Sequence, residues 1–332
     1  MIDDSTMIAL AARAGAVGND AFKARPGELT LANAQVSYNS PFSERLTAYA
    51  VGIRDGGGLR ELREFIAPTV RVNSRKFDFL EIDDLEKFKA VTKEDAIRAR
   101  GGEFRSLSIA GHVRTESLQN FGFTTPVEFA DMAEDPNLSR EAVDMLIEAV
   151  DTVELLWAFD VLDGLATAET ISIADSPDID AAIKQKLQEN YETTGVAVNR
   201  VFFGGGAWAK REFSYRNASL TPGTINYAKT PEQVGADLGA DVRVGDARAV
   251  TTAGAMSVVR SNDIYAFFAV PGATRYDATN VKFFTAPGLN GRASEVFQSD
   301  NYQGVIRHVT LSRWGAPRVG NGFGVVKFTL TD

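Results

Sequence analysis

SREAVDMLIEAVDTVELLWAFDVLDG, Ser139 to Gly164, is the stretch from which the rest of the chain can be read. Val143, Leu146, Ile147, Val150, Val153, Trp157 and Val161 recur at the i, i+3/i+4 spacing of an amphipathic helix. Glu141, Asp144, Glu148, Asp151, Glu154 and Asp160 fill the opposite side. Ser139 is placed to cap the first N–H groups, and Asp163-Gly164 to end the helix in a left-handed turn. At 1.5 Å per residue the helix would be about 35 Å long, enough to cross a domain as a spine. So many carboxylates rule it out as a membrane span.

The totals narrow the class. At 332 residues the chain can bury a substantial core, in two domains or one elaborate one. Its 44% hydrophobic and 24% charged residues are those of a folded chain. A net charge of −9 argues against coating nucleic acid by bulk attraction. There is no cysteine, which excludes disulfides, thiolate-held zinc and thiol catalysis and fits a reducing compartment. The first residues, MIDDSTMIALAARAGAV, carry two acids where an export signal needs positive charge.

Outward from the spine, residues 1–60 lack strong periodicity. They read either as an extended arm that needs a surface to lie on, or as a loosely packed N-terminal segment. Leu62, Phe65, Ile66, Val70 and Val72 mark entry into a core. Residues 75–82 then alternate, with Phe77 and Phe79 on one face and Lys76 and Asp78 on the other. A second alternating run follows around Leu107, Ile109 and Val113. The link between them, DDLEKFKAVTKEDAIRARGG, is longer than a hairpin turn needs. It reads as a two-stranded arm with a charged tip, or as an edge hairpin with a solvated loop. Arg54–Arg114 carries thirteen bases to eleven acids, and Glu128–Asp163 eleven acids to one base. The two segments are complementary if they meet between molecules, and simply solvated if they do not.

FTTPVEFADMAEDPN reads as a turn-rich approach to the spine. Residues 165–270 read as a separate α/β unit, with helices at Asp178–Asn190 and from Thr230-Pro231 to Leu238. Its strands are expected at 196–203, 242–244, 256–259 and 264–270, and Pro271–Asp300 is expected to be rich in loops. A closing pair of alternating strands follows, around Val305–Leu311 and Val326–Leu330, separated by a turn rich in Gly and Pro.

The residues supply little for catalysis. His112 and His308 lie in strand patterns, with no G-x-S-x-G elbow to partner them. Gly204-Gly205-Gly206 lacks the Lys-Ser/Thr of a phosphate loop, and Gly320, Gly322 and Gly324 lead into a strand where a dinucleotide site needs a helix. Asp175, Asp178 and Asp180 have the spacing of a helix start, not of a calcium loop. The expectation is a non-enzyme with no cofactor and no metal.

Four segments together resemble the major capsid proteins of tailed bacteriophages, the Hong-Kong-97-type fold. LREFIAPTVRVNSRKFDFLEID looks like that family's lead-in to its extended loop (E-loop), and FGFTTPVEF through VLDG like its approach to the spine. TPEQVGADLGADVRVGDARA resembles a helix–strand unit of the axial domain. VFQSDNYQGVIRHVTLSRWGAP with GFGVVKFTL looks like the closing strands of the peripheral domain. The resemblance implies an α+β fold: N-terminal arm 1–60, E-loop 70–115, peripheral domain 120–170 with 270–332, spine 139–163, and axial domain 170–270. It implies a shell of hexamers and pentamers around double-stranded DNA in a virion, assembled in the host cytoplasm. Portal, scaffolding and decoration proteins would be partners, and no membrane. An encapsulin-like compartment is the alternative. Candidate contacts between subunits are Lys87, Lys89, Lys93, Arg98 and Arg100 on the arm, and Asp144, Glu148 and Asp151 on the spine. No lysine matches the residue that some family members crosslink.

Overall fold

The computed structural model describes residues 43, 46–47, 49–50, 58–82, 112–135, 137–174, 178–218, 229–245, 248–250, 256–301 and 305–331. Two compact units divide the chain. The smaller draws on the chain up to Gly52, on Gly122–Leu146 and on Ser294–Ser312; the larger takes the rest.

In chain order the elements open with α1 (Leu59–Ile66), β1 (Thr69–Arg71), β2 (Lys76–Glu81), β3 (His112–Ser117) and β4 (Gln119–Glu128). Next come α2 (Phe129–Glu134), α3 (Leu138–Leu165), β5 (Thr167–Ser172), α4 (Ile179–Thr194), β6 (Arg200–Gly204) and α5 (Gly205–Ala218). Then follow α6 (Pro231–Leu238), β7 (Asp241–Gly245), β8 (Arg248–Val250), β9 (Met256–Val258) and β10 (Asp263–Phe267). The chain closes with β11 (Val281–Ala286), β12 (Ser294–Asp300), β13 (Ile306–Val319) and β14 (Val326–Thr331).

The spine is α3, 28 residues and roughly 42 Å at the standard rise. Its ends differ from the expected caps. Arg140 and Glu141 N–H groups donate to the Asn137 carbonyl, so Ser139 lies inside the first turn and its hydroxyl meets Met132 Sδ at 3.8 Å. Gly164 does not take a left-handed conformation, and the helix runs one residue past it. The buried stripe also departs from the expected one. Val143, Leu146, Ile147 and Val150 are buried, but beyond them it is Leu155, Ala158, Phe159 and Leu162 that reach the core. Val153, Trp157 and Val161 are half-buried.

In the larger unit one five-stranded sheet runs β5-β14-β10-β6-β7. β14 lies between β5, to which it is parallel, and β10, to which it is antiparallel. The closing strands therefore do not pair with each other: β14 completes the sheet of residues 167–267, and β13 belongs to another. One face of this sheet (Phe202, Tyr265, Phe267) packs with α1 and the C-terminal half of α3. The other (Val201, Phe203, Ile264, Phe328) packs on α4, α5 and α6. Thr230 and Gln233 form the expected capping box on α6, which closes on Gly239 at φ 74°. Asp178 caps α4 by accepting from Ala181 N–H.

The second half of β13 pairs with β11, and β11 with β1. β11 falls in the region expected to be loops. It is buried on both faces, Lys282 included, so VKFFTA shows no alternation for a pattern search to find. Likewise WGAPRV continues β13 where a turn was expected. In the smaller unit β12 and β4 pair with β13. β4 and α2 together replace most of the expected turn-rich approach; Pro126, which cannot donate, is tolerated because β4 has β13 as its one strand partner among the described residues. Gly122 is required there, since a Cβ would lie 1.9 Å from the Leu311 carbonyl oxygen. The described end of the 1–60 stretch rests on this unit's own β12. Ser43 N–H donates to the Val296 carbonyl, Val296 N–H donates to Thr47 Oγ1, and Leu46, Thr47 and Ala50 are buried.

Candidate assembly surface

β2 and β3 form a two-stranded antiparallel ribbon, in register from Lys76 opposite Ser117 to Glu81 opposite His112. The two faces of the ribbon are unlike. Phe77 and Phe79 point inward, their ring centroids 4.4 and 5.3 Å from that of Phe284 on β11. On the outer face Leu80 is paired with Val113, which is 65% exposed. Five of the six β3 residues are exposed. Among the described residues β3 has β2 as its one strand partner, so it presents a row of backbone groups along an open edge. The expected second run began near Leu107; the strand described begins at His112, and residues 106–109 lie outside the described ones.

Lys87, Lys89, Lys93, Arg98 and Arg100 also lie outside the described residues. Asp144 is exposed and accepts a 3.1 Å hydrogen bond from the Tyr49 hydroxyl, which raises the tyrosine's pKa. Arg140 sits 5.6 Å from the Tyr49 ring. Glu148 is exposed.

Asp151 requires a correction. An outward contact needs solvent exposure, and Asp151 is 4% exposed with both carboxylate oxygens engaged inside its own chain. Arg60 Nε donates to one at 2.6 Å and Arg313 Nη1 to the other at 2.5 Å. Glu154, also expected on the acidic back, is 4% exposed and meets Arg313 at 3.1 Å and Arg63 at 3.3 Å. Three guanidinium groups from α1 and β13 thus converge on two spine carboxylates. For Arg313, burial alone would lower the pKa, but Glu154 and Asp151 outweigh it and the value is raised. The sequence carried one signal for this network: Arg60 and Arg63, three apart in a short helix whose remaining positions are largely apolar.

The candidates for other chemistry are occupied structurally. His112 lies in β3 and His308 in β13. Gly204–Gly206 leads from β6 into α5, a helix the sequence reading missed. Its first N–H groups are already satisfied: Gly206 N–H donates to Ser261 Oγ and Ala207 N–H to the Ser261 carbonyl. The glycines serve close approach, since a Cβ on Gly204 would lie 2.0 Å from the Arg260 carbonyl oxygen. Asp180 is buried and holds Arg211, 0% exposed, through two bonds of 2.7 and 2.6 Å. Trp208 and Tyr215 flank that guanidinium at 4.8 and 4.9 Å. Burial, then the neighbouring Asp180 and Asp178, raise the Tyr215 pKa. Among the described residues no cluster of three or more His, Asp or Glu could hold a metal ion, and no helix is long and apolar enough to cross a membrane.

No family model and no curated protein sequence matches the chain. Solved structures do. A phage-related protein from Bordetella bronchiseptica RB50 superposes with a TM-score of 0.63 at 12% identity, covering 87% of this chain and 97% of that one. The capsid of cyanophage P-SCSP1u gives 0.48 at 8% identity over 81% of this chain and 88% of its own. The SrpI encapsulin of Synechococcus elongatus PCC 7942 gives 0.49 at 9% identity over 89% and 94%. At these identities the likeness concerns fold, and it is the Bordetella protein that carries it. The fold is α+β and of the Hong-Kong-97 type, as the sequence resemblance implies.

Proposed function

We propose that this chain is the major capsid protein of a tailed phage, assembling as hexamers and pentamers into an icosahedral head that encloses double-stranded DNA. The fold supports the reading but does not decide it, because one fold can carry several functions. The observation that carries it is the ribbon. β2 is anchored on the body, but β3 leaves its outer face to solvent and, among the described residues, has no strand partner on its other edge. A neighbouring copy laid along it would bury Leu80 and Val113 and use the open edge. A subunit held by many such contacts is retained by multivalency although each is weak, and weak contacts let misplaced subunits leave.

On this reading residues 1–60 serve as N-terminal arm, 70–115 as E-loop, 120–170 with 270–332 as peripheral domain and 170–270 as axial domain. β14 is the exception, since it completes the sheet of the 167–267 region. Lys87, Lys89, Lys93, Arg98 and Arg100 dock against acids of an adjacent subunit, with Asp144 and Glu148 the exposed spine candidates. Portal, scaffolding and decoration proteins complete the particle.

Electron microscopy of the purified product, with and without a co-expressed scaffold, tests the proposal. Hollow icosahedral particles are expected; a monodisperse monomer under every assembly condition would overturn it. Particles recovered from a lysate should contain nuclease-protected DNA, whereas a docked enzyme in their place would make the shell a compartment. Reversing the charges of Lys87, Lys89 and Arg98 should reduce particle yield while leaving the subunit's thermal midpoint unchanged.

A further inference from the structure

We infer that the root of the ribbon is a fixed mount, so that β2 and β3 move with β1, β11 and the second half of β13 as one mechanical body. Four sets of contacts, all within the larger unit, carry this.

First, the inner face is locked by rings. Phe77 and Phe79 are buried against Phe284, which is 0% exposed in the middle of β11. Swinging the ribbon would pull two aromatic side chains out of a close-packed cluster.

Second, β2 is stitched along its other edge to the body. Leu80 N–H donates to the Arg275 carbonyl at 3.1 Å and Ile82 N–H to the Gly320 carbonyl at 2.8 Å. Gly322 N–H returns a bond to the Ile82 carbonyl at 3.2 Å. These bonds lie at Leu80 and Ile82, the end of β2 away from Lys76, so turning the ribbon about Lys76 would break all of them together.

Third, the end of β3 nearest the body is pinned. Leu118 N–H donates to the Arg75 carbonyl at 2.8 Å. Arg318 of β13 reaches Glu116 at 3.2 Å and the Ser117 carbonyl at 3.4 Å.

Fourth, the turn into β2 is clamped, with the Arg75 guanidinium 4.0 Å from the Trp314 ring of β13. The direction in which the ribbon leaves the body is therefore set before any neighbour arrives. A flexible strand pair would have to lose that freedom on docking.

The rigidity claim concerns the chain alone; its consequence for shells rests on the proposed function. Hydrogen exchange on the unassembled subunit tests the first. The Leu80 and Ile82 amides should exchange within about tenfold of the Phe283 and Phe284 amides of β11. Exchange a hundredfold or more faster, with β11 still protected, would overturn the inference.

A crosslink tests the consequence. The chain has no cysteine. An Ile82→Cys/Asn321→Cys pair, at positions that are β-bridge partners about 5 Å apart, can form a disulfide that locks the root. The oxidised variant should assemble at the same rate as its own reduced form. Loss of assembly on oxidation, restored by reductant, would show that the root must bend and overturn the inference. If the wild-type chain forms no shells, the capsid reading fails while the exchange experiment still decides the mount.

Discussion

Replacing Asp151 by asparagine keeps the shape of the side chain and removes one charge from the centre of the spine network. In the native chain that carboxylate receives Arg60 and Arg313 on separate oxygens, with side-chain exposures of 28% and 11%. Taking one partner from a buried ion pair costs about 3–5 kcal/mol, because the remaining charge stays buried without compensation. Arg313 retains Glu154 at 3.1 Å, and Arg60 can turn toward water, so the lower figure of about 3 kcal/mol applies. Urea titration of the unassembled subunit reads the loss. With a slope of about 3 kcal/mol per molar, the midpoint should fall by about 1 M. Arg313→Met in the same chain should recover much of the loss, since two well-packed neutral side chains need no compensation. Asp144→Asn, made on the exposed part of the same helix, should leave the midpoint in place. A shift below about 0.3 M for the Asp151 variant, or no recovery in the double variant, would mean that water reaches the network and that α1 is held by its apolar contacts alone.

Further expectations concern other sites. Arg211→Met strands the buried Asp180 carboxylate and should cost about 3 kcal/mol in calorimetry, whereas Arg211→Met with Asp180→Leu should lie nearer the parent. Arg260 is a non-glycine residue at φ 51°, and it pairs with Asp160 at 2.9 Å and Asp163 at 2.5 Å. Glycine and alanine substitutions lose the pairs equally, but only glycine relieves the backbone. Arg260→Gly should therefore be more stable than Arg260→Ala by about 1 kcal/mol, and the reverse order would contradict the strain. The Asp277 carboxyl is partly buried, which alone would raise its pKa. Hydrogen bonds from Thr279 and Thr274 and the charge of Lys282 outweigh that and lower it below the ordinary 3.8. A group so depressed stabilises the fold fully above its unfolded pKa, and loses that contribution as pH falls through the folded value. Asp277→Asn should lower the thermal midpoint above about pH 5, where the native contribution is complete, and flatten its decline below about pH 4.

Local rules read well wherever a single element decided its own conformation. The spine, the Thr230 cap, the buried residues from Leu62 to Val72 and the alternation of β2 depend on spacing along the chain. What escaped depends on neighbours distant in sequence. Asp151 and Glu154 look like an outer face until arginines from residues 60, 63 and 313 arrive to neutralise them. β11 is covered on both sides and therefore has no polar alternation to show. α5 begins with two glycines and carries Arg211 inward, against an aspartate 31 residues earlier, so its apolar stripe is broken. Which strand would lie beside β14 could not be read from a hairpin rule, since its partners come from Thr167–Ser172 and Asp263–Phe267. The ribbon was legible as a strand pair. Its attachment to Arg275 and Gly320 runs through backbone groups, which carry no side-chain signature.

The position of β14 also bears on timing. Until Val326–Thr331 leaves the ribosome, β5 lacks its neighbour and β10 presents an unfilled side, since the strand between them is made after both. A partner some 160 residues downstream must be awaited before that sheet can close. Half-synthesised copies on one messenger, crowded side by side, would then lack a finished body with which to join their neighbours. Synthesis would set the order, with closure of that sheet coming ahead of recruitment.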